Sequence, residues 1–166
     1  MVLSLVRVDD RLIHGQVIAV WLRKLSPEII VIADDETAAD EFLSELLQFA
    51  GPPGVSVEVY SAADSVPRLK ELVESPKKVF LLMRSPLTAL ALVNNDLQIP
   101  ILNVGGIGAA ADRKKLYKNI SASDSEVAAM NRLEDLGTKV EIRIVADDSP
   151  VAFASLDLAR AARSVL

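Results

Sequence analysis

The chain has 166 residues, of which 51% are hydrophobic and 25% are charged. These values are typical of one globular domain that buries its own core, so we expect a single domain over residues 1–166. The absence of cysteine excludes disulfides and thiolate chemistry, and the net charge of −5 argues against a nucleic-acid partner.

The apolar residues alternate between short β-rich runs and longer helical stretches, which predicts an α/β fold. In chain order, strands are predicted at Val2–Val8, Glu28–Ala33, Val55–Tyr60, Lys77–Arg84, Ile99–Val104, near Asn119–Ser121 and at Lys139–Val145. Helices are predicted at Gly15–Leu25, Thr37–Ala50, Ala63–Glu74, Pro86–Asn94, Asp124–Leu136 and Pro150–Val165. We expect a mostly parallel central sheet of about six to seven strands with helices on both faces. The last predicted strand is free to run antiparallel at an edge.

Residues that start and stop helices support several of these boundaries. Ser123 and Glu126 have the spacing of a capping box at the start of the fifth helix, and Gly137 is placed to end that helix. The run Gly51–Gly54, with two prolines, breaks the chain before the third strand.

No segment approaches the roughly 18 apolar residues that a bilayer-spanning helix needs. The first apolar run is interrupted at Arg7, and no basic stretch followed by a long apolar run precedes it. We therefore expect a cytoplasmic protein without direct membrane insertion.

The only histidine, His14, lies in the turn between the first predicted strand and the first predicted helix. In open α/β sheets ligands collect at such strand ends, and the start of a helix favours an anion. Arg11 adds a planar cation with several donors. A neutral imidazole can attack phosphorus and later release the phosphoryl group. Either Asp9 or Asp10 can orient the ring through a hydrogen bond.

The same residues also allow an ordinary structural interpretation. A lone histidine is usually a surface or half-buried residue without chemistry. Asp9 and Asp10 can begin a turn or cap the helix, and Arg11 can simply pair with them at the surface. Gln16 is interpreted as a first-turn helix residue rather than a ligand. These patterns alone leave the choice open.

Two further strand ends carry candidate phosphoryl-binding residues. Ser85 follows the fourth strand, where its hydroxyl can donate to a phosphoryl oxygen or cap a helix; the cap is the preferred interpretation. Gly105 and Gly106 follow the fifth strand, where they can bring amides to an anion or form a flexible turn. The glycine pattern is not a complete dinucleotide fingerprint, so a nucleotide site is not expected.

Acidic residues at two strand ends suggest a magnesium site, because hard cations prefer carboxylate oxygens. These are Asp9 and Asp10 after the first strand and Asp34–Glu36 after the second. For Asp34–Glu36 we prefer a helix N-terminus, where acids complement the helix dipole. A response-regulator receiver domain also has paired acids after its first strand. It needs a phosphorylatable aspartate after its third strand, where this chain has Val59–Ala62, so a receiver is not expected. We expect no metal and no cofactor.

Two remaining features are given ordinary interpretations. Asp112–Lys115 is the densest basic cluster, which suits contact with an acidic partner surface or a phosphoryl group; a solvated face is the preferred interpretation. Trp21, in the first predicted helix, is interpreted as core or groove packing.

The segment Arg7–Val17, with the sequence RVDDRLIHGQV, closely resembles a known phosphorylation site. It is similar to the IIB components of the mannose/fructose/sorbose class of bacterial phosphotransferase systems. Further similarity to that family occurs in order at Trp21, Asp34–Asp35, Pro52–Val55, Arg84–Pro86 and Asn103–Gly106. The resemblance covers most of the 166 residues.

The resemblance implies a protein-phosphohistidine–sugar phosphotransferase. Such a protein accepts a phosphoryl group from the phosphohistidine of a IIA protein or domain and gives it to a sugar presented by membrane IIC and IID components. His14 matches the phosphorylated residue, with Nδ1 as the expected atom. Asp10, Arg11, Gly15 and Gln16 match the loop around it.

One segment departs from the family pattern. Gly108–Ala111 is plainer than the aromatic or methionine-bearing stretch expected there. A regulatory or sensor relative, phosphorylated without passing phosphate to a sugar, therefore stays open as an alternative. So does a generic α/β binding module. The sequence identifies neither the sugar nor the oligomeric state, so a homo-oligomer stays open.

Overall fold

The computed structural model describes residues 2–164, except for the side chains of Val2, Gln16 and Val17. The strands within this range are β1 (Val2–Asp9), β2 (Ile29–Ala33), β3 (Ser56–Tyr60), β4 (Lys78–Met83), β5 (Ile101–Gly106), β6 (Arg113–Tyr117), β7 (Ile120–Ser123), β8 (Lys139–Ile142) and β9 (Val151–Ala152). The helices are α1 (Gly15–Leu25), α2 (Asp35–Ala39), α3 (Glu41–Phe49), α4 (Ala62–Val73), α5 (Pro86–Asn94), α6 (Asp124–Asp135) and α7 (Asp157–Arg163), with a 3₁₀ turn at Phe153–Ser155.

Seven of these strands form one sheet in the order β3-β2-β4-β1-β5-β8-β9. Its neighbours pair in parallel, except that β9 runs antiparallel to β8. The predicted mostly parallel sheet with an antiparallel edge is confirmed. The antiparallel edge strand is β9, however, because the last predicted strand (β8) runs parallel to β5.

Helices cover both faces of the sheet, as predicted, so β2 is buried along its whole length. Ile30 and Ile32 pack on one face with Trp21 of α1 and Leu47 of α3. Val31 packs on the opposite face, in the core that α4, α5, α6 and α7 complete. A strand that is buried on both sides needs apolar residues at every position, which explains the continuous apolar run.

The helix predicted at Thr37–Ala50 is two helices. Asp40 has φ −95° and ψ 98°, which interrupts the helix, and its carboxylate accepts the N–H of Leu43 at 2.9 Å. Asp34 caps the shorter first helix in the same way, by accepting the N–H of Thr37 at 3.0 Å. Aspartate competes with helical hydrogen bonding and favours a cap, so Asp40 starts a new helix.

The helix predicted at Pro150–Val165 is much shorter in the structure. The chain first forms β9, where Val151 is aligned with Ile142 of β8, and then a 3₁₀ turn that buries Phe153 completely. Helix α7 begins only at Asp157. Tertiary pairing at the sheet edge overrides the helical pattern of this segment, and Val165 lies outside the described residues.

Strand β6 was not predicted, whereas the short strand expected near Asn119–Ser121 is β7. The two strands form a separate antiparallel hairpin. Lys114 and Lys115 are both exposed and only Leu116 of β6 is buried, so the strand lacks a clear apolar alternation. Its pairing with β7 is what makes it a strand.

The predicted start and stop of the fifth helix (α6) are confirmed. Glu126 N–H donates to Ser123 Oγ at 3.2 Å, and Ser123 N–H donates to Glu126 Oε2 at 2.8 Å, which completes a capping box. Beyond the last turn, Gly137 has φ +95°, a left-handed conformation that favours glycine.

The strand order creates a crevice at the carboxyl end of β1. From there the chain enters α1 on one face of the sheet, whereas the elements that follow β4 and β5 pack on the other face. Such a divergence is where open α/β sheets bind ligands. No helix within residues 2–164 combines the length and the apolar character that crossing a bilayer requires.

Candidate active site

A tight turn places His14 at this crevice. Leu12 N–H donates to the carbonyl of Asp9 at 3.0 Å, and Leu12 is buried with φ +55°. A left-handed conformation is unusual for a bulky residue, and core packing of the Leu12 side chain holds it. The backbone is then extended at His14 (φ −148°), and α1 begins at Gly15 with φ +32°.

The imidazole of His14 contacts a buried carboxylate. Its Nε2 lies 3.2 Å from Asp9 Oδ2, the His14 side chain is 20% exposed, and the Asp9 side chain is fully buried. Burial by itself raises the pKa of Asp9, but hydrogen bonds from Arg11 and His14 and the charges of Arg7 and Arg11 hold that pKa below its ordinary value. An ionised carboxylate only accepts hydrogen bonds, so in the neutral ring Nε2 is the nitrogen that carries the proton and Nδ1 is the one that keeps its lone pair.

Arg7 holds Asp9 from inside the sheet. Its guanidinium is fully buried and donates to Asp9 Oδ2 at 3.1 Å and to Asn103 Oδ1 at 2.5 Å. It also donates to the carbonyl oxygens of Arg143 and Ile144, both at 2.9 Å. Burial lowers the pKa of Arg7 from its ordinary value, and Asp9 opposes that shift. With these partners on two strands and a loop, Arg7 fixes the carboxylate beneath the imidazole.

Arg11 binds the carboxylate of Asp9 from the solvent side. Its Nε donates to Asp9 Oδ1 at 3.1 Å and its Nη2 donates to Asp9 Oδ2 at 3.2 Å. The Arg11 side chain is 51% exposed, in contrast to buried Arg7. Arg11 can therefore meet an incoming anion while it holds Asp9.

Asp10 connects neighbouring loops through hydrogen bonds, whereas the residue that contacts the imidazole of His14 is Asp9. The carboxylate of Asp10 accepts the N–H of Gly108 at 2.7 Å. Its backbone N–H donates to the carbonyl of Gly106 at 2.8 Å, and its carbonyl accepts from Arg84 Nε at 3.1 Å. Of the two aspartates considered from sequence, the structure thus places Asp9 on the ring and Asp10 between the ends of β1, β4 and β5.

Gly105 and Gly106 are buried residues of β5, not a flexible turn. A Cβ on Gly105 would lie 1.8 Å from Arg7 Cζ, and a Cβ on Gly106 would lie 2.7 Å from Asp9 Oδ1. Any side chain at either position would displace the charged groups under the imidazole. The two glycines therefore make room for Arg7 and Asp9.

The remaining loop residues occupy the places expected for structural roles. Ser85 Oγ accepts the N–H of Leu87 at 3.2 Å and caps α5, in agreement with the preferred interpretation. Gln16 lies in the first turn of α1, and its side chain is outside the described atoms. Asp34 and the two acids after it form the start of α2, also as preferred.

The basic cluster at Asp112–Lys115 is largely engaged with acids. Arg113 makes a double hydrogen bond to Glu126, at 3.0 and 2.8 Å, and Lys114 Nζ lies 2.8 Å from Asp124 Oδ1. The bonds to Glu126 raise the pKa of Arg113. Within residues 2–164, side chains excepted as above, no group of three or more His, Asp or Glu is placed to hold a metal ion.

Three residues that support the site were missed by sequence reasoning: Arg7, Asn103 and Arg143. A signal was present, because Arg7 interrupts a buried strand and a buried cation requires a partner. Residues two apart on a strand share a face, so Arg7 pointed to Asp9. The Trp21 ring, 2% exposed, packs against this cluster with its centroid 5.3 Å from Arg7 Cζ and 5.1 Å from Arg143 Cζ.

A groove of about 600 Å³ opens beside His14. We call it the α1 groove. Its lining is mostly apolar and includes Ile13, His14, Ile18, Leu22, Pro52 and Val55. The groove runs along α1 and reaches the segment that follows α3, so His14 lies at one end of an accessible apolar channel.

This chain is similar to known proteins of one family. The model of the "PTS system sorbose subfamily IIB component" family matches residues 3–164. The sorbose-specific EIIB component of Klebsiella pneumoniae is 36% identical over 151 residues, which are 91% of this chain and 92% of that protein. The sorbose-specific EIIB component of Lacticaseibacillus casei is 35% identical over 152 residues, 89% of this chain and 90% of that protein.

The fold agrees with the sequence similarity. The crystal structure of the IIBSor domain of the sorbose permease from Klebsiella pneumoniae has a TM-score of 0.86 to this chain at 36% identity, and the match covers 92% of this chain and 93% of that one. The family resemblance found in the sequence is thereby confirmed. The chain belongs to the sorbose-subfamily IIB components of the phosphotransferase system, the phosphotransferases that take a phosphoryl group from IIA and pass it to a sugar.

Proposed function

We propose that His14 is the residue that carries the phosphoryl group in this transfer, on its Nδ1 atom. The observation that carries the proposal is the 3.2 Å contact between His14 Nε2 and the buried carboxylate of Asp9. This contact holds the proton on Nε2 and leaves the Nδ1 lone pair free to attack phosphorus.

The two half-reactions balance at this atom. In the first, the Nδ1 lone pair forms a bond to phosphorus, and the phosphorus–nitrogen bond of the donor phosphohistidine breaks, returning its electron pair to the donor ring. In the second, a sugar hydroxyl oxygen attacks the same phosphorus, the Nδ1–phosphorus bond breaks, and the hydroxyl proton passes to water. The protein contributes mainly position and neutralisation of charge.

The neighbours of His14 have proposed roles either in neutralising the charge of the phosphoryl group or in positioning the reacting ring. Arg11 meets the phosphoryl oxygens, and the first N–H groups of α1, which begins at Gly15, favour an anion. The His14 side chain does not cap that helix, which leaves those groups to the ligand. Asp10 holds the surrounding loops, and Asp9 orients the ring.

The partners follow from the family. We propose that a IIA protein or domain donates the phosphoryl group and that a membrane IIC and IID complex presents the sugar on its cytoplasmic side. The two relatives described above are sorbose-specific, so sorbose is the first sugar to test. We propose that residues 1–166 act as one domain, since one sheet joins seven strands that include both β1 and β9.

The test is phosphoryl labelling from phosphoenolpyruvate through the general phosphotransferase proteins and IIA. We expect the wild-type chain to be labelled and His14→Ala to remain unlabelled, with an unchanged circular dichroism spectrum. Nitrogen NMR of the labelled protein should assign the phosphoryl group to Nδ1. Labelling of a folded His14→Ala variant, or assignment to Nε2, would overturn the proposal.

A further inference from the structure

The charges of this chain are unevenly divided along the sequence. Between Leu25 and Pro67 it has nine Asp and Glu residues and no Lys or Arg. The whole chain has a net charge of only −5, so the rest of it is net positive. One contiguous segment, which contains α2, α3 and β3, is therefore net negative. Arginines from outside it pair with two of its acids, Glu58 with Arg68 and Glu36 with Arg84, and the other acids keep the segment negative.

An apolar stripe crosses the exposed side of α3 within this acidic segment. Phe42, Leu46 and Phe49 are 77%, 54% and 86% exposed, the largest values for large hydrophobic side chains among the described residues. Their spacing of four and three residues places them on one face of the helix. We call these three residues the α3 stripe. The core side of the helix is supplied instead by Leu43 and Leu47.

Carboxylates flank the stripe. Asp40, Glu41 and Glu45 are exposed on the same helix or at its cap. Neighbours three or four residues away on the helix provide no compensating cation, because this part of the sequence contains none. The surface therefore combines large apolar groups with an uncompensated negative rim.

The α3 stripe is joined directly in the chain to residues that line the α1 groove. The lining of the α1 groove includes both His14 and, from the segment after α3, Ala50 and Pro52. These residues follow Phe49 directly in the chain. A partner seated on the stripe can therefore extend along the groove to the phosphoryl-carrying histidine.

We infer that the α3 stripe is a docking surface for a basic, apolar segment on the cytoplasmic side of the membrane IIC and IID complex. This inference rests on the proposed function. Cytoplasmic loops of membrane proteins carry an excess of Lys and Arg, which complements the acidic rim, while their apolar residues cover the stripe. Phenylalanine is among the aromatic residues that are enriched at protein interfaces.

The charges argue against other occupants. In a symmetric dimer the same patch would meet itself and bring the acidic rims of two copies together. Anionic lipid surfaces would be repelled by the rim. Phospho-IIA brings a negatively charged phosphoryl group, which favours the side of the site that carries Arg11 over the acidic rim.

The direct test measures binding of the His14→Ala protein, which needs no phosphoryl chemistry, to inverted vesicles that contain the IIC and IID components. Vesicles of the same lipids without these components give the background. We expect binding to the complete vesicles only, weakened about tenfold or more by Phe42→Ser with Phe49→Ser. Leu136→Ser removes another large apolar side chain, 41% exposed, from the opposite helical layer, and we expect it to bind like the parent protein.

A second set of variants tests the charge. Glu41→Lys with Glu45→Lys should also weaken binding about tenfold, and the difference from the parent should shrink as salt rises. With His14 intact, the two double variants should accept phosphate from IIA at the wild-type rate. In the sugar step they should show a raised KM for the IIB protein and a nearly unchanged kcat.

Several outcomes would overturn the inference: equal vesicle binding by all variants, binding to lipid alone, or slower transfer from IIA with an unaffected sugar step. A wild-type dimer that Phe42→Ser with Phe49→Ser dissociates would assign the stripe to a second copy instead. Failure of the proposed function is distinguishable, because it would abolish labelling of the intact chain without changing vesicle binding by the His14→Ala protein.

Discussion

At the scale of single residues, the role proposed for His14 depends on which imidazole nitrogen keeps its lone pair. Asp9 determines this, because an ionised and fully buried carboxylate can only accept the proton of Nε2. Asp9 is in turn held by two arginines with different exposures. Arg7 supports it from the core, and Arg11 reaches it from the exposed side, where we propose that the phosphoryl group binds.

Asp9→Asn tests this assignment. An amide can donate as well as accept, so it no longer holds the proton on Nε2, and we expect labelling from IIA to slow by about a hundredfold or more. Buried Arg7 also loses its charged partner, which should lower the free energy of unfolding by about 3–5 kcal/mol. A time course of labelling measures the change in rate, and denaturant unfolding measures the change in stability.

Asp10→Asn is the matched control for that substitution. An asparagine carbonyl can still accept the N–H of Gly108, so the loop tie is kept and the imidazole partner is untouched. We expect a labelling rate within a few-fold of wild type. An equal loss of rate in both variants would contradict the assignment of the ring to Asp9.

Arg11→Ala separates charge neutralisation from folding. Because the Arg11 side chain is half exposed, its ion pair should contribute little to stability, on the order of 1 kcal/mol or less. Phosphoryl transfer should slow about tenfold or more, since a charged donor to the phosphoryl oxygens is lost. Measured together, the labelling rate and the melting temperature check this; an unchanged rate would remove Arg11 from the mechanism.

At the scale of secondary structure, the site depends on how closely β5 approaches β1. Gly105 and Gly106 allow the guanidinium of Arg7 and the carboxylate of Asp9 to lie against the β5 backbone. The same glycines gave two interpretations from sequence, an anion-binding loop or a flexible turn. Neither interpretation places the glycines in a buried strand. The side chains that require glycine there, Arg7 and Asp9, lie about 100 positions away in the chain.

Gly106→Ala should disturb the site through this close contact. The added Cβ would lie 2.7 Å from Asp9 Oδ1 and 3.0 Å from Arg11 Nη2, so Asp9 must shift. We expect a loss of about 1–3 kcal/mol in the free energy of unfolding and a clear fall in labelling rate. Gly108→Ala is the control, because its Cβ would lie 3.3 Å from Asp10 Oδ2 at an exposed position. Equal effects of the two substitutions would contradict the packing role of Gly106.

Element boundaries show where local signals suffice. The capping box at Ser123 and Glu126 and the terminal Gly137 were predicted correctly, because caps act between residues close in sequence. The single helix predicted over Thr37–Ala50 was wrong because Asp40 prefers a cap to a helical interior. The helix predicted from Pro150 was wrong because β8 offers an edge to pair with.

At the scale of the whole molecule, buried or paired carboxylates control stability in acid. The pKa of Asp9 is lowered in the folded protein by Arg11, His14 and Arg7 against the cost of burial, and that of Glu58 is lowered chiefly by its hydrogen bonds from Arg68. A carboxyl with a lowered folded pKa binds its proton more readily when unfolded. Its stabilisation is therefore complete above the unfolded value and is lost as pH falls through the folded value.

We therefore expect the free energy of unfolding to be nearly level above the unfolded carboxyl values of 3.8 and 4.5 and to decrease at lower pH. Glu58→Gln, which is remote from His14 in the fold, should flatten part of this decrease. Denaturant unfolding at a series of pH values measures it. A stability that rises as pH falls below these values would contradict the sign.

Local sequence patterns were enough to predict the α/β class, most of the helices and strands, and the position of His14 in a loop at the end of β1. These properties follow from periodicity, caps and a continuous local motif, all of which act between residues near one another in the chain. The folded arrangement was needed to show that Asp9 rather than Asp10 contacts the imidazole. It also revealed that Arg7 is held by Asn103 and by carbonyl groups more than 130 positions away. Such contacts depend on which strands become neighbours and how closely they pack, and a one-dimensional pattern of residue types does not specify that distance.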